Sequence, residues 1–384
     1  MPDPHPAGSP PPLPGESPFA LSPATRQVVV EGPFRLRAGG ALPRVVVAYE
    51  TWGRPAAGGD NTVLLLTGLS PSAHAASSEA DPAPGWWEAM VGPGRPLDTR
   101  RWHVVCVNHL GSCFGSTGPA SPNPSTGRPY RLDFPELRVE DLARAAREAL
   151  RALGLRPRVV LGASLGGMAA LAYALQFPEE LEGLGLISAA ARATPFAIAL
   201  RSLQRELVRA DPAWRGGAYP LGRQPVTGLR LARKLGLISY RSAEEWQRRF
   251  GRERLPHPPQ EPFGPQFQVE AYMERNARRF AKAFDANCYL YLSRAMDLFD
   301  AAEHGEGSVE QALARVRARR CLVAGVRTDF LFPLHQQEEL AEGLREGGTP
   351  VRFAALDSVQ GHDAFLVDEA RFGPLLRAFL EELA

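Results

Sequence analysis

Apolar residues in this chain come in short runs separated by polar, helix-patterned stretches. RVVVAYE (44–50), TVLLL (62–66), HVVCVN (103–108), RVVLGA (158–163) and LEGLGLISAA (181–190) are rich in aliphatic and β-branched residues. Runs of that length and composition predict strands buried on both faces, the first two as an early pair. EDLARAAREALRALG (140–154) places Leu142, Ala146, Ala149, Leu150 and Leu153 three or four positions apart, the spacing of a helix with one apolar face. Strands that alternate with helices predict a mostly parallel α/β sheet.

The pattern changes over residues 191–318. FAIALRSLQRELVRAD, GLRLARKLGLISY and FAKAFDANCYLYLSRAMDLFD keep helical periodicity and few β-branched runs. This predicts a helical insertion. Strand-like runs resume at CLVAGV (321–326) and VRFAAL (351–356), and a closing helix is expected over 370–383. The expected layout is an α/β core over 26–190 and 319–384, interrupted by helices over 191–318. Residues 1–25 open on MPDPHPAGSPPPLPGESP, a proline-rich composition that predicts disorder.

Composition narrows the functional classes. The chain has 384 residues, 44% of them hydrophobic, enough for one large core. A net charge of +2 gives no general attraction to nucleic acid or to an anionic membrane. No apolar run is long enough to span a bilayer, and no basic start precedes an apolar stretch as in a secretory signal. The four cysteines (Cys106, Cys113, Cys288, Cys321) show no C-x-x-C spacing and read as reduced thiols of a cytoplasmic protein, with no disulfide frame and no metal site. Cys113 lies in a glycine-rich loop with nothing nearby to activate it.

The chemistry concentrates at GASLGG. Gly162-Ala163-Ser164-Leu165-Gly166 follows a predicted strand and precedes a predicted helix, the context of a nucleophile elbow. Such a turn strains the serine backbone and needs small neighbours. It lifts the hydroxyl to the carboxyl edge of the sheet, with the Leu165 N–H facing the place where an oxyanion forms. A serine hydroxyl needs a base. Of the eight histidines, His362 in SVQGHDAFL follows the last strand and precedes the last helix. Asp329, just past the strand CLVAGV, is the candidate acid. The order Ser164, Asp329, His362 is that of an α/β hydrolase. A second oxyanion donor is expected from the loop TGLSPSAH (67–74), at the Leu69 N–H, and His74 reads as structural. Arg201 and Arg205 share one helical face. They are either part of a solvated face or two binders of carboxylate groups.

The chain resembles the homoserine O-acetyltransferase family, acyltransferases of the α/β-hydrolase fold. AYETWG, NHLGSCFGSTGPASPNPSTGRPY, GASLGGMAAL, QRELVRADPAWRGG, FDANCYLYLSRAMDLFD, TDFLFP and GHDAFL carry the likeness, which covers residues 30–380. The resemblance implies a helical lid, a homodimer, and ping-pong transfer from acyl-CoA, as co-substrate and without a bound cofactor, to the hydroxyl of a small L-amino acid. It implies Ser164, Asp329 and His362 as the triad, and Arg205 and Asp363 as substrate ligands. GWWEAMVGPG, FAIALRSLQRE, ARKLGLISYRSAEEWQRRFGRERL and FQVEAYMERNARRF look more like the serine O-succinyltransferase branch. That branch implies acceptor choice by Gly68, Leu69, Ser70 and Pro71 and acyl-donor choice by Arg201, and a product feeding cysteine synthesis. The alternatives are homoserine acetylation or succinylation, which feed methionine synthesis, and plain ester or thioester hydrolysis.

Overall fold

The computed structural model describes residues 19–220 and 222–383. Its sheet has eight strands: β1 (Arg26–Val30), β2 (Val45–Trp52), β3 (Thr62–Leu66), β4 (His103–Val107), β5 (Val159–Ala163), β6 (Gly183–Ile187), β7 (Arg320–Val326) and β8 (Val351–Leu356). In space they run β1-β2-β4-β3-β5-β6-β7-β8, and β2 alone is reversed. The sheet is the mixed one of an α/β hydrolase. The two early runs do not pair with each other: β4 lies between β2 and β3. A reversed β2 and a forward β3 leave room for a third strand, and Val104–Val107 pairs with both.

Side-chain alternation explains the two cores. Leu64, Leu66, Val105, Val107 and Val160 face a core shared with α1 (Val139–Ala152) and α2 (Leu165–Gln176). Val63, Leu65, Val104, Val159 and Leu161 face the opposite one, closed by the C-terminal helix from Phe372 to Leu380. A strand buried on both faces reads as an unbroken apolar run for this reason. Helix α2 is apolar on every side, and all of Leu165–Leu175 is buried against the sheet. Strand β1 has no such run. It is a half-exposed edge, which is why its pattern carries little signal.

Between β6 and β7 the described chain is helical: α3 (Pro195–Ala210), α4 (Val226–Ser239), α5 (Ala243–Phe250), α6 (Gln268–Ala283), α7 (Ala286–Leu298) and α8 (Val309–Leu313). The apolar stretch at 280–300 is two helices. Asp285 breaks it by accepting the Cys288 N–H at 2.9 Å as the cap of α7, and the Tyr219 hydroxyl donates to its other oxygen at 2.7 Å.

Residues 1–18 of the expected disordered segment lie outside the described residues. Disorder does not reach its last residues. Phe19 is buried in the core, and the Thr25 hydroxyl donates to the buried Glu50 at 2.8 Å. All four cysteines are buried, and Cys113 accepts the Asp285 N–H at 3.4 Å. No helix among the described residues is long and apolar enough to cross a membrane.

Candidate active site

The site sits at the carboxyl ends of the parallel strands. Ser164 follows β5 with φ 56° and ψ −124°, a strained conformation for a residue with a side chain. Two glycines permit it. A Cβ on Gly162 would lie 2.1 Å from the Gly166 carbonyl oxygen, and one on Gly166 would lie 2.1 Å from that of Leu66. The Leu165 N–H is the first of α2, where N–H groups have no partner inside the helix, and the helix dipole is positive there.

Ser164 Oγ lies 2.8 Å from His362 Nε2, and His362 Nδ1 lies 2.7 Å from Asp329 Oδ2. The hydroxyl donates to Nε2, and Nδ1–H donates to the carboxylate. Asp329 is fixed in turn: its Oδ1 accepts the N–H groups of Leu331 and Phe332, each at 2.9 Å. The imidazole is stacked on Phe332 and meets Phe365 edge-on. Burial pulls the His362 pKa down, but the charge and hydrogen bond of Asp329 outweigh it, so the pKa ends above its ordinary value.

The pocket over Ser164 is lined by Gly68, Leu69, Ser70 and Pro71 on one side. Two neighbouring loops brace this segment. His109 Nε2 is 2.6 Å from the Thr67 carbonyl, and the Trp86 indole donates to the Ser72 carbonyl at 3.1 Å. Burial drives the His109 pKa down to about 4, so the ring is neutral and its Nε2–H donates. His74 holds the far end of the loop, 2.8 Å from the buried Glu50, which agrees with a structural role.

The lid supplies the opposite wall. Arg201 is 5% exposed and lines the pocket, its Nε 2.5 Å from Asp297. Its Nη1 is buried with no hydrogen-bond partner among the described residues. Arg205 stands beside the wall: its Nη1 contacts Asp297 at 2.6 Å and Ser293, which lines the pocket, at 3.0 Å. Two guanidinium groups thus share one carboxylate, which leaves one positive charge uncompensated beside the pocket. The second pocket cation is Arg233 on α4, which the pattern of arginines did not single out. Its guanidinium lies over the rings of Phe280 (4.6 Å) and Tyr240 (5.4 Å), the latter seven positions on, and its Nε is buried with no hydrogen-bond partner among the described residues. Asp363 also lines the pocket, with Arg241 at 3.5 Å. The arrangement is a nucleophile with its base, an anion-stabilising helix end, two cations and a carboxylate around one small cavity. No cluster of metal-ligating side chains occurs among the described residues.

Known proteins agree with this architecture. A family model described as alpha/beta hydrolase fold matches residues 61–368. A relative named serine O-succinyltransferase from Litchfieldella anticariensis is 62% identical over 360 residues, covering 93% of this chain and 98% of that protein. Another of that name from Stenotrophomonas maltophilia is 56% identical over 366 residues, 94% of this chain and 99% of its own. Among solved structures, homoserine O-acetyltransferase from Bacillus anthracis superimposes with a TM-score of 0.85 at 28% identity, over 93% of this chain and 97% of the other. Esterase E22 does so with a TM-score of 0.83 at 28% identity, over 93% and 100%. The chain belongs to the α/β-hydrolase fold family and, within it, to the family of the serine O-succinyltransferases.

Proposed function

We infer that this family member transfers a succinyl group from succinyl-CoA to the side-chain hydroxyl of L-serine, giving O-succinyl-L-serine and free CoA. The observation that carries the reading is the buried Arg201 in the wall of the pocket. An acetyl group gives that cation nothing to bind, whereas the terminal carboxylate of a succinyl group matches its free Nη1 and the surplus positive charge around Asp297. Burying that carboxylate without a cation would be costly.

The reaction follows from the geometry. His362 Nε2 takes the Ser164 proton as Oγ attacks the thioester carbonyl. The oxyanion is received by the N–H groups of Leu69 and Leu165. The C–S bond breaks, and His362 returns the proton to the CoA thiolate. L-serine enters with its carboxylate toward Arg233 and its ammonium toward Asp363. Its hydroxyl gives a proton to His362 and attacks the succinyl ester, and Ser164 recovers that proton as the product leaves. Asp329 stabilises the imidazolium in both halves. Water must stay out while the ester exists, a task for the lid helices.

Turnover of L-serine and L-homoserine, each with succinyl-CoA and acetyl-CoA, tests the reading. Preference for serine with succinyl-CoA is expected. Preference for homoserine with acetyl-CoA, or CoA release at full rate with no amino acid, would overturn it. The product is an activated serine, a substrate for displacement by sulfide on the way to cysteine. The working form is a homodimer in the cytoplasm. Exposed apolar side chains on the lid, Phe196 and Leu203 on α3 and Leu231 and Ile238 on α4, support the dimer. A sedimentation mass of one chain at micromolar concentration would refute it.

A further inference from the structure

Arg241 lies outside the pocket wall, yet it touches the acidic residue that lines it. Its Nη2 is 3.5 Å from Asp363, its Nη1 is 2.8 Å from Glu245, and Nη1 is also 3.5 Å from Gln360 Oε1. The side chain is therefore a bridge between α5 of the lid and the turn that carries His362. The backbone is tied at the same place. The Asp363 N–H donates to the Tyr240 carbonyl at 3.0 Å, and the Ser242 hydroxyl donates to the Val359 carbonyl. Gly361, with φ +66°, lets the two segments touch: a Cβ there would lie 2.8 Å from the Ser242 nitrogen.

We propose that Arg241 is a positioning residue for the acceptor half of the reaction, holding the Asp363 carboxylate in place for the ammonium group of the incoming amino acid. The inference rests on the acyl-transfer reading and deepens it. Asp363 is half-buried in the pocket wall, and Arg241 is the cation that contacts it when no acceptor is bound. The groups that face it are Arg241, His362, Arg233 and Asp329. Burial raises its pKa and Arg241 acts most strongly against that rise, with His362 and Arg233 helping and Asp329 opposing. Loss of Arg241 pushes Asp363 toward its neutral form, which cannot pair with an ammonium ion. The donor half needs neither group, because a thioester carries no ammonium.

The experiment separates the two halves in the intact enzyme. Arg241→Gln is expected to raise KM for L-serine about tenfold or more. The single-turnover burst of CoA from succinyl-CoA should keep its wild-type rate, which also shows that the variant is folded. Below the limb set by His362, the fall of kcat/KM for serine should become steeper, since binding also needs ionised Asp363 and that group ionises later in the variant. Arg241→Lys, which keeps the charge, should recover part of the loss. In the Asp363→Asn background, Arg241→Gln should add little further loss, because the arginine acts through Asp363. A serine KM within twofold of wild type, or additive losses in the double variant, overturns the assignment while a normal CoA burst leaves the acyl-transfer reading standing. No CoA burst from the wild-type enzyme overturns both.

Discussion

Replacing Arg201 with asparagine tests donor choice most directly. Arg201 and Arg205 flank Asp297 at 2.5 and 2.6 Å, so the three side chains carry one net positive charge. Arg201→Asn leaves Arg205 paired with Asp297 and no surplus charge. Asp297 is not orphaned, so the fold should survive. The succinyl carboxylate, however, would then enter a buried wall without a cation. A hydrogen bond to a charged group contributes about 1.5–3 kcal/mol, and the upper part of that range applies at a site as enclosed as this one. Each 1.4 kcal/mol is a factor of ten, so kcat/KM for succinyl-CoA should fall on the order of 10²-fold. For acetyl-CoA, which has no carboxylate, the change should stay within about threefold. Arg201 also pushes the His362 pKa down, so both donors should be compared at a pH above the acid limb of each enzyme. The assay is initial-rate CoA release at saturating L-serine. Equal losses for the two donors would refute the reasoning and show that Arg201 acts on the Ser164 machinery rather than on the acyl tail.

Other expectations follow from the same contacts. The base must be neutral, and Asp329 holds the His362 pKa above its ordinary value of 6.5 against burial, so kcat/KM should fall as pH drops through a midpoint above 6.5. Asp329→Asn should lower that midpoint and reduce kcat on the order of 10³–10⁴-fold; an unmoved acid limb would count against the pairing. Gly166→Ala would set a Cβ against the Leu66 carbonyl and should cost about 3 kcal/mol in urea denaturation, whereas an unchanged midpoint would show that the elbow can relax. His109, with its pKa lowered to about 4 in the folded chain, stays neutral there, while the unfolded chain takes up a proton below 6.5. Its contribution to stability is therefore present above pH 6.5 and is lost as pH falls toward 4, by up to about 3 kcal/mol. His109→Gln should flatten that part of the stability–pH curve, and an unchanged slope between pH 7 and 4.5 would refute it.

The triad is legible in the sequence because each member stands next to a strand end, and strand ends follow from apolar runs. Leu66, Ala163, Val326 and Leu356 end four of those strands, and the loops behind them meet at one edge of the sheet. The lid is harder to read. Helical spacing places Arg201 and Arg205 on one face, but a helical face is broad, and the partner that divides it is Asp297, on a helix 96 residues away. Asp297 holds Arg205 beside the wall and leaves one nitrogen of Arg201 free. A signal for Arg233 was present in its distance of seven from Tyr240, two turns of helix, with Gly236 between them packed against Gln204 of α3. It was hidden because arginines are frequent throughout this insertion. The difference has a physical origin. Capture of an acyl group needs only the strained serine, its base and an anion site, all built by local chain geometry. Choice of acyl group and acceptor needs charges held at a distance from one another, and only the packing of α3, α4 and α7 over the sheet sets those distances. A hydrolase and a transferase can therefore share the sheet edge and differ in the wall above it. In this chain that wall carries two cations and a carboxylate, a set that suits an acyl tail with a negative end and an acceptor that is itself a zwitterion.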